Sequence, residues 1–443
     1  MGELTLKDLF AKKGKYTFLV GAGISRDPPS NLPLGREMME VIIRYTCAES
    51  EVEKILGLEN LRFEQLVEIV RDYLDPELKL IDYYGLCDKP NTNHFFLVEM
   101  MKRGHYVLTT NFDCLIEHAL MQSKVKKNRN LPVITEEDFK KYSDVPKVVR
   151  KGYFPVYKIH GSPHNIITNT STKDSLVVTI QAFGSGKEGE SVFQLEPHKR
   201  PVFESITNGR TLVIMGYSGS DDFDITPTLR LLDTLDQLIW IEHAPKGTKP
   251  IIQEFSSDIE ISPKDKVGNI FQEVHRMGYR TQLVRVKMHT SDLGTLFIKR
   301  KSEISQSYSE TDLLSYINSQ IKSPDEYQVY QIPYEIYDNL SFLNNAERCA
   351  RILLKHAQET KNQRWQSITL TNIGRLLHDK GEWDEARRYY KEALAIDEQL
   401  GDLRGKSKEL TNIGILYHDK GEWDEAMRYY KEALAIDEQL GDL

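Results

Sequence analysis

Gly21-Ala22-Gly23-Ile24-Ser25 directly follows an apolar run, Tyr16–Val20, and a helical pattern begins after Pro33-Leu34-Gly35. A strand, a glycine turn and a helix start gather backbone N–H groups at one point. Without a Cβ in the way, a diphosphate can approach them closely. The same G-x-G turn also occurs as a plain loop. A second stretch, Thr109-Thr110-Asn111-Phe112-Asp113, leaves the apolar pair Val107-Leu108. Asn111 and Asp113 bring polar groups to the carboxyl end of a strand, the edge where open α/β sheets bind ligands. Asp113 serves equally well as the N-cap of a following helix. His160-Gly161-Ser162 closes the run Val156–Ile159. A histidine there can act as a general base near neutral pH, or be structural. Gly216-Tyr217-Ser218-Gly219-Ser220-Asp221-Asp222 follows Leu212–Met215, and Glu242 ends Leu238–Ile241. Small hydroxyl residues suit a ribose or phosphate edge, and a carboxylate suits a ribose diol. A loop and a surface charge are the plain alternatives.

These groups need elements to hold them. Short apolar runs at 16–20, 107–110, 156–159, 212–215, 238–241 and 282–286 read as buried strands. Helical patterns at 35–47, 61–74 and 92–102 lie between some of them. This alternation predicts an α/β, Rossmann-like, doubly wound parallel sheet. The stretches 123–152 and 164–200 fit the sheet poorly and are expected to form an inserted small helical domain or lid. Residues 301–326 are polar and Ser-rich and read as a linker with one short helix.

The C-terminal third repeats itself. Residues 371–403 and 411–443 differ only at Arg375/Ile415, Leu377/Tyr417 and Arg387/Met427. Self-similarity at this period marks a solenoid. Each unit splits into two amphipathic helices at Gly381 or Gly421. Ala386, Tyr389, Tyr390, Ala393 and Leu394 line the buried stripe of the second helix. Ala346 and Arg348 fall one period earlier, so an all-α solenoid of about three repeats is expected from 327 to 443. The last repeat is expected to be uncapped, with another subunit or further chain over it.

The repeats resemble the tetratricopeptide family, and residues 1–300 resemble the sirtuin family in the order and spacing of GAGIS, T-x-N-x-D and HGS. GYSGSDD resembles the divergent sirtuin-like domains of microbial immune effectors. This resemblance implies NAD+ as substrate. Gly21, Ala22, Gly23 and Ser25 would hold the diphosphate. Thr110, Gly216, Ser218 and Glu242 would complete the dinucleotide site. Asn111, His160 and Asp113 would be the catalytic residues. Sirtuin deacylases carry a four-cysteine zinc module after the histidine, whereas this chain has no cysteine between His160 and Val213. No zinc is therefore expected, and the implied activity shifts to NAD+ glycohydrolysis, in an antiphage effector that acts by NAD+ depletion. A protein deacylase or ADP-ribosyltransferase is one alternative. A non-catalytic NAD or ADP-ribose sensor is another.

Composition sets outer bounds. The chain has 443 residues, is 28% charged and carries a net charge of −8. A mildly acidic chain is a poor match to sequence-independent nucleic-acid binding. The four cysteines, Cys47, Cys87, Cys114 and Cys349, have neither zinc-finger nor C-x-x-C spacing. They suit reduced thiols in the cytoplasm. No run of about 18 apolar residues predicts a membrane span, and the N-terminus lacks the features of a secretory signal. The expected partners are a protein or peptide trigger on the repeats and further copies of the chain, as an oligomer or filament.

Overall fold

The structure is a computed structural model that describes residues 5–10, 14–178, 195–219, 225–229, 232–256, 261–278, 281–298 and 309–441. The chain divides into two compact units. One comprises Met1–Met39 and Leu78–Gln320, the other Glu40–Glu77 and Ile321–Leu443.

The first unit is built on a sheet. Its strands are β1 Tyr16–Val20, β2 Tyr106–Thr109, β3 Asn130–Val133, β4 Phe154–Lys158, β7 Thr211–Met215, β8 Gln237–His243, β9 Ile251–Glu254 and β10 Gln282–Met288. A separate two-stranded ribbon is formed by β5 His164–Asn165 and β6 Thr170–Ser171. The sheet order is β3-β4-β2-β1-β7-β8-β10-β9. Every neighbouring pair is parallel except β10 with β9. All six predicted strands are present at nearly the predicted bounds. The central ones are buried on both faces: β1 is buried at every position, and so is β2. This is why they read as unbroken apolar runs.

Two separate cores result. Phe18, Phe96, Val107, Val213 and Ile239 pack on one face of the sheet, and Leu19, Tyr157, Ile214, Trp240 and Phe271 on the other. The stretch 123–152 supplies two short helices, Glu136–Lys141 and Val145–Arg150, and also the edge strand β3. Pro132 interrupts that strand's donor pattern, and an edge is where a proline costs no ladder bond. Of the stretch 164–200, residues 179–194 lie outside the described residues. Strand order reverses at β1. The chain leaves it for β2, β3 and β4 on one side, then returns to β7 on the other. The crevice beyond the carboxyl ends of β1, β2 and β7 is thus the topological switch point.

The second unit is all helical. Three antiparallel pairs follow one another: Gln328–Asn339 with Leu343–Glu359, Gln363–Asp379 with Trp383–Leu400, and Leu403–Asp419 with Trp423–Leu440. Ala346, Ala386 and Ala426 are buried at the close contacts. Gly374 and Gly414 each lie under a tyrosine ring, where a Cβ would come within 2.7 and 2.6 Å of Tyr390 and Tyr430. Adjacent repeats are tied by Thr371 Oγ1 donating to Glu409 Oε1 at 2.6 Å and by Lys420 Nζ on Asp384 at 2.6 Å.

The helices Glu49–Leu56 and Phe63–Tyr73 belong to this same unit, although they lie far from the repeats in sequence. Buried Glu51 accepts from Tyr337 Oη at 3.0 Å and pairs with Arg348. Tyr73 Oη donates to Glu335 at 2.6 Å, and Ala48 N–H to Val329 O at 2.9 Å.

Candidate functional site

The predicted site residues follow directly on the strand ends. Gly21 comes after β1, Thr110 after β2 and Gly216 after β7, while His160 lies two residues beyond β4. The first and third of these turns interlock. Gly21 N–H donates to Met215 O at 3.1 Å, and Gly23 N–H to Gly216 O at 2.8 Å. A Cβ on Gly21 would stand 2.7 Å from Gly216 O, and one on Gly23 2.8 Å from Gly216 Cα. Gly216 itself has φ +65° and leaves only 2.5 Å between a would-be Cβ and Ile24 N. The glycines are therefore explained by the packing of one turn against the other, and that packing presents the short 3-10 turn Ala22–Ser25 at the strand ends.

The turn after β2 is built from its own side chains. Thr109 Oγ1 donates to Val20 O at 3.2 Å and accepts from Asn111 N–H at 3.0 Å. Thr110 N–H donates to Val20 O at 3.0 Å. Asp113 Oδ1 accepts from Leu115 N–H at 3.0 Å, at the start of the helix Leu115–Gln122. Its other oxygen takes two more donors, Ser25 Oγ at 2.8 Å and Asn111 Nδ2 at 3.1 Å. The N-cap of that helix is Cys114 rather than Asp113, which stands one residue earlier, bonds the first helical N–H and also belongs to a polar cluster.

The orientation of the Asn111 carboxamide follows from this. A carboxylate oxygen only accepts, so the atom facing Asp113 is the amide nitrogen. Nδ2 also donates to Ser25 Oγ at 3.2 Å. Oδ1 then points away from both, and it is buried without a hydrogen-bond partner among the described residues. A buried acceptor left unpaired is costly and marks a place where a donor is wanted.

His160 is buried, and its ring lies beside Phe112 with centroids 6.4 Å apart. Ser162 Oγ donates to Phe112 O at 3.0 Å, which ties the H-G-S turn to the N-F-D turn. Gly161 has φ +78°, and a Cβ there would meet Ser175 O at 2.2 Å. The structure therefore brings Ser25, Asn111 and Asp113 into one hydrogen-bonded cluster, with His160 against the intervening residue.

Several of the other predicted residues are less buried than that cluster. Ala22 and Thr110 are partly exposed, and Ser218 is exposed. Glu242 lies on β8, engaged by Arg285 Nη2 at 2.5 Å and Lys287 Nζ at 3.7 Å. Ser220, Asp221 and Asp222 of the glycine-serine stretch lie outside the described residues.

Three residues that composition and spacing did not single out support the cluster. His94 Nε2 is 3.1 Å from Ser25 Oγ. Complete burial pushes His94 down to about 4, against the opposing pull of Asp113 and Asp27. Lys158 and Glu117 form a fully buried pair at 3.4 Å. The Lys158 ammonium also donates to the Asp113 carbonyl. Burial is the largest influence and opposes this charge, but Glu117, Cys114 and Asp113 together outweigh it, so Lys158 is held above its ordinary value. The available signal for His94 is Asn91-Thr92-Asn93-His94 at the head of an otherwise apolar helix. Asn91 and Asn93 both donate to Ile24 O, at 2.8 and 3.0 Å, and so anchor the 3-10 turn.

Residues 105–238 match the family model of the SIR2-like domain, and residues 339–399 and 365–439 match that of the tetratricopeptide repeat. The chain therefore carries a SIR2-like domain followed by tetratricopeptide repeats. The first match contains Thr110, Asn111, Asp113, His160, Gly216 and Ser218, and begins after Gly21–Ser25. No curated protein matches the chain. A solved structure, aspartyl phosphate phosphatase F from Bacillus subtilis, is 20% identical with a TM-score of 0.26. That match covers 30% of this chain and 36% of the other. A similarity this low carries no argument about fold or function. No described helix is long and apolar enough to cross a membrane.

Proposed function

We propose that the sheet-bearing unit is an NAD+ glycohydrolase, releasing nicotinamide and ADP-ribose, and that the repeats regulate or assemble it. The observation that carries this reading is the unpaired Oδ1 of Asn111, buried at the switch point of a SIR2-like domain. An acceptor there suits a ribose hydroxyl or an attacking water.

The chemistry follows from the substrate. Nicotinamide leaves NAD+ as a neutral molecule from a cationic ring, and the ribose passes through an oxocarbenium-like state, as in glycoside hydrolysis. Asn111 orients the water by accepting a hydrogen bond from it at Oδ1. His160 takes a proton from that water or from a ribose hydroxyl. Asp113, as an anion with three donors, stabilises the positive charge that develops at C1′. Gly21, Ala22, Gly23 and Ser25 hold the diphosphate, with Thr110, Gly216, Ser218 and Glu242 toward the rest of the dinucleotide. No cysteine lies between His160 and Val213, so the residues do not fit the zinc module of the deacylases. This favours water over an acyl-lysine as the acceptor.

We assign catalysis to residues 1–300, with 301–326 as linker and 327–443 as the repeat region. The repeats then receive a protein or peptide trigger, hold copies of the chain together, or do both. Depletion of NAD+ on that trigger suits a cytoplasmic antiphage effector. Product analysis of NAD+ incubated with the full chain, beside Asn111→Ala, tests the reading. Equal NAD+ loss in both proteins contradicts it.

A further inference from the structure

We propose that the amino-terminal edge of the sheet is a docking surface for the sugar-phosphate backbone of duplex nucleic acid. This edge lies opposite the crevice and owes nothing to the glycohydrolase reading.

Three chain segments enter neighbouring strands there. Residues 102–104 lead into β2, 127–129 into β3 and 151–153 into β4. The strands are adjacent in the order β3-β4-β2 and parallel, with Asn130 level with Phe154 and Val107 level with Val156. The three entries therefore stand side by side in one row. Arg129 ties two of them by donating from Nη1 to Lys151 O at 2.6 Å. Lys102 Nζ donates to Ser123 O at 3.3 Å and so ties in the third.

The row is strongly cationic. Residues 101–105, 123–130 and 149–153 contain two, four and two Lys or Arg and no Asp or Glu, in a chain of net charge −8. Net charge hides such a row, because it averages over the whole chain. All eight cations are exposed. Arg103 pairs with Glu99 at 3.0 Å, and Lys102 and Arg129 hold the carbonyls just named. Lys124, Lys126, Lys127, Arg150 and Lys151 have no ion-pair partner among the described residues. The ends of the helices Leu115–Gln122 and Val145–Arg150 favour a cation or two nearby, but Lys126 and Lys127 lie beyond both. Elsewhere on the sheet cations are neutralised, as Arg285 is by Glu242 and Asp265. Like charges gathered without counter-charges repel one another, and a polyanion outside the fold relieves that repulsion.

The kind of polyanion follows from what the row lacks. The exposed large apolar side chains, among them Leu86, Ile251 and Met277, fall outside these segments. A protein partner calls for such anchors, and a lipid surface for a second, apolar signal. A single strand calls for exposed rings on which bases stack. The ring in this row, Tyr153, is half-buried with the Arg129 guanidinium 5.2 Å over its centroid. Duplex phosphates ask only for cations. Three strand entries span about 10 Å, and a duplex offers one charge per ~1.7 Å of its axis, so several phosphates face the row at once. Lysines are point charges without the fork that reads bases, so binding is independent of sequence. The crevice at the opposite edge stays open to NAD+.

The test is fluorescence anisotropy of a short labelled DNA duplex of mixed sequence with the full chain over a salt series. The expected slope of log K against log salt is about −4 to −5. In the triple variant Lys126→Ala, Lys127→Ala, Lys151→Ala the magnitude of that slope is expected to fall by about 3. Its melting temperature and its NAD+ turnover without DNA are expected to match the wild type, and arginine at the same three positions is expected to restore binding. Absence of binding at low salt overturns the proposal, and so does a triple variant that binds like the wild type. Vesicles of anionic lipid, or polyglutamate, bound in place of the duplex would overturn it too. The readout needs no turnover, so a chain that binds the duplex in this way and leaves NAD+ intact supports the docking surface while refuting the glycohydrolase reading.

Discussion

Asn111, Asp113 and Ser25 were legible as residues because each stands at a strand end in a short polar motif. Their mutual contacts were not, since 86 residues separate Ser25 from Asn111. His94 and Lys158 stayed hidden for a plainer reason. A histidine at a helix start and a lysine inside an apolar run look like surface groups until the fold buries them. The glycines show a related gap between motif and cause. Gly216 is required by its φ of +65° and by the 2.5 Å left before Ile24 N, in addition to any ligand. Gly216→Ala is therefore expected to lose more than the ~1–2 kcal/mol of a left-handed residue, because the turn Ala22–Ser25 must shift as well. Thermal unfolding of the variant checks this. A melting temperature equal to wild type would show that the two turns do not lean on each other.

Among the elements, the central strands were readable and the edges were not. β1, β2 and β7 are apolar on both faces, so the sequence pattern alone marks them. β3 contains Pro132, and three of the four β9 residues are exposed, so neither has a strong apolar pattern. Strand order is likewise invisible to local pattern, yet it is the order that places Gly21, Thr110 and Gly216 around one crevice. The helix Leu115–Gln122 and strand β4 are joined beneath that crevice by the Glu117–Lys158 pair. Removing one partner of a buried pair leaves the other charge uncompensated. Lys158→Met is expected to cost about 3–5 kcal/mol, and the double variant Lys158→Met with Glu117→Leu much less. Urea unfolding of both variants decides the matter. Equal losses would mean that the pair does not act as a unit.

For the whole molecule, the repeats were the most legible part, since near-identity at one period needs no structural knowledge. The grouping of Glu40–Glu77 with the repeats had no such signal, because the contacts of Glu51 with Tyr337 and Arg348 span nearly 300 residues. The repeat unit also contains a buried acid between neighbouring repeats. Burial pushes Glu409 up to about 7 from an ordinary value of 4.5. The folded unit then keeps a proton that the unfolded chain releases, so stability falls as pH rises from about 4.5 to 7. The repeat unit is expected to melt higher at pH 5 than at pH 8, with Glu409→Gln flattening the difference. A wild-type profile that is flat, or rises with pH, would contradict this. The account as a whole rests on the cluster at the strand ends cleaving NAD+. The most direct measurement is a time course of NAD+, nicotinamide and ADP-ribose with the activated full chain beside its His160→Ala variant. The account predicts equal amounts of nicotinamide and ADP-ribose from the wild type and none from the variant. NAD+ left intact by the wild type, or consumed only when an acylated peptide is added, would contradict it.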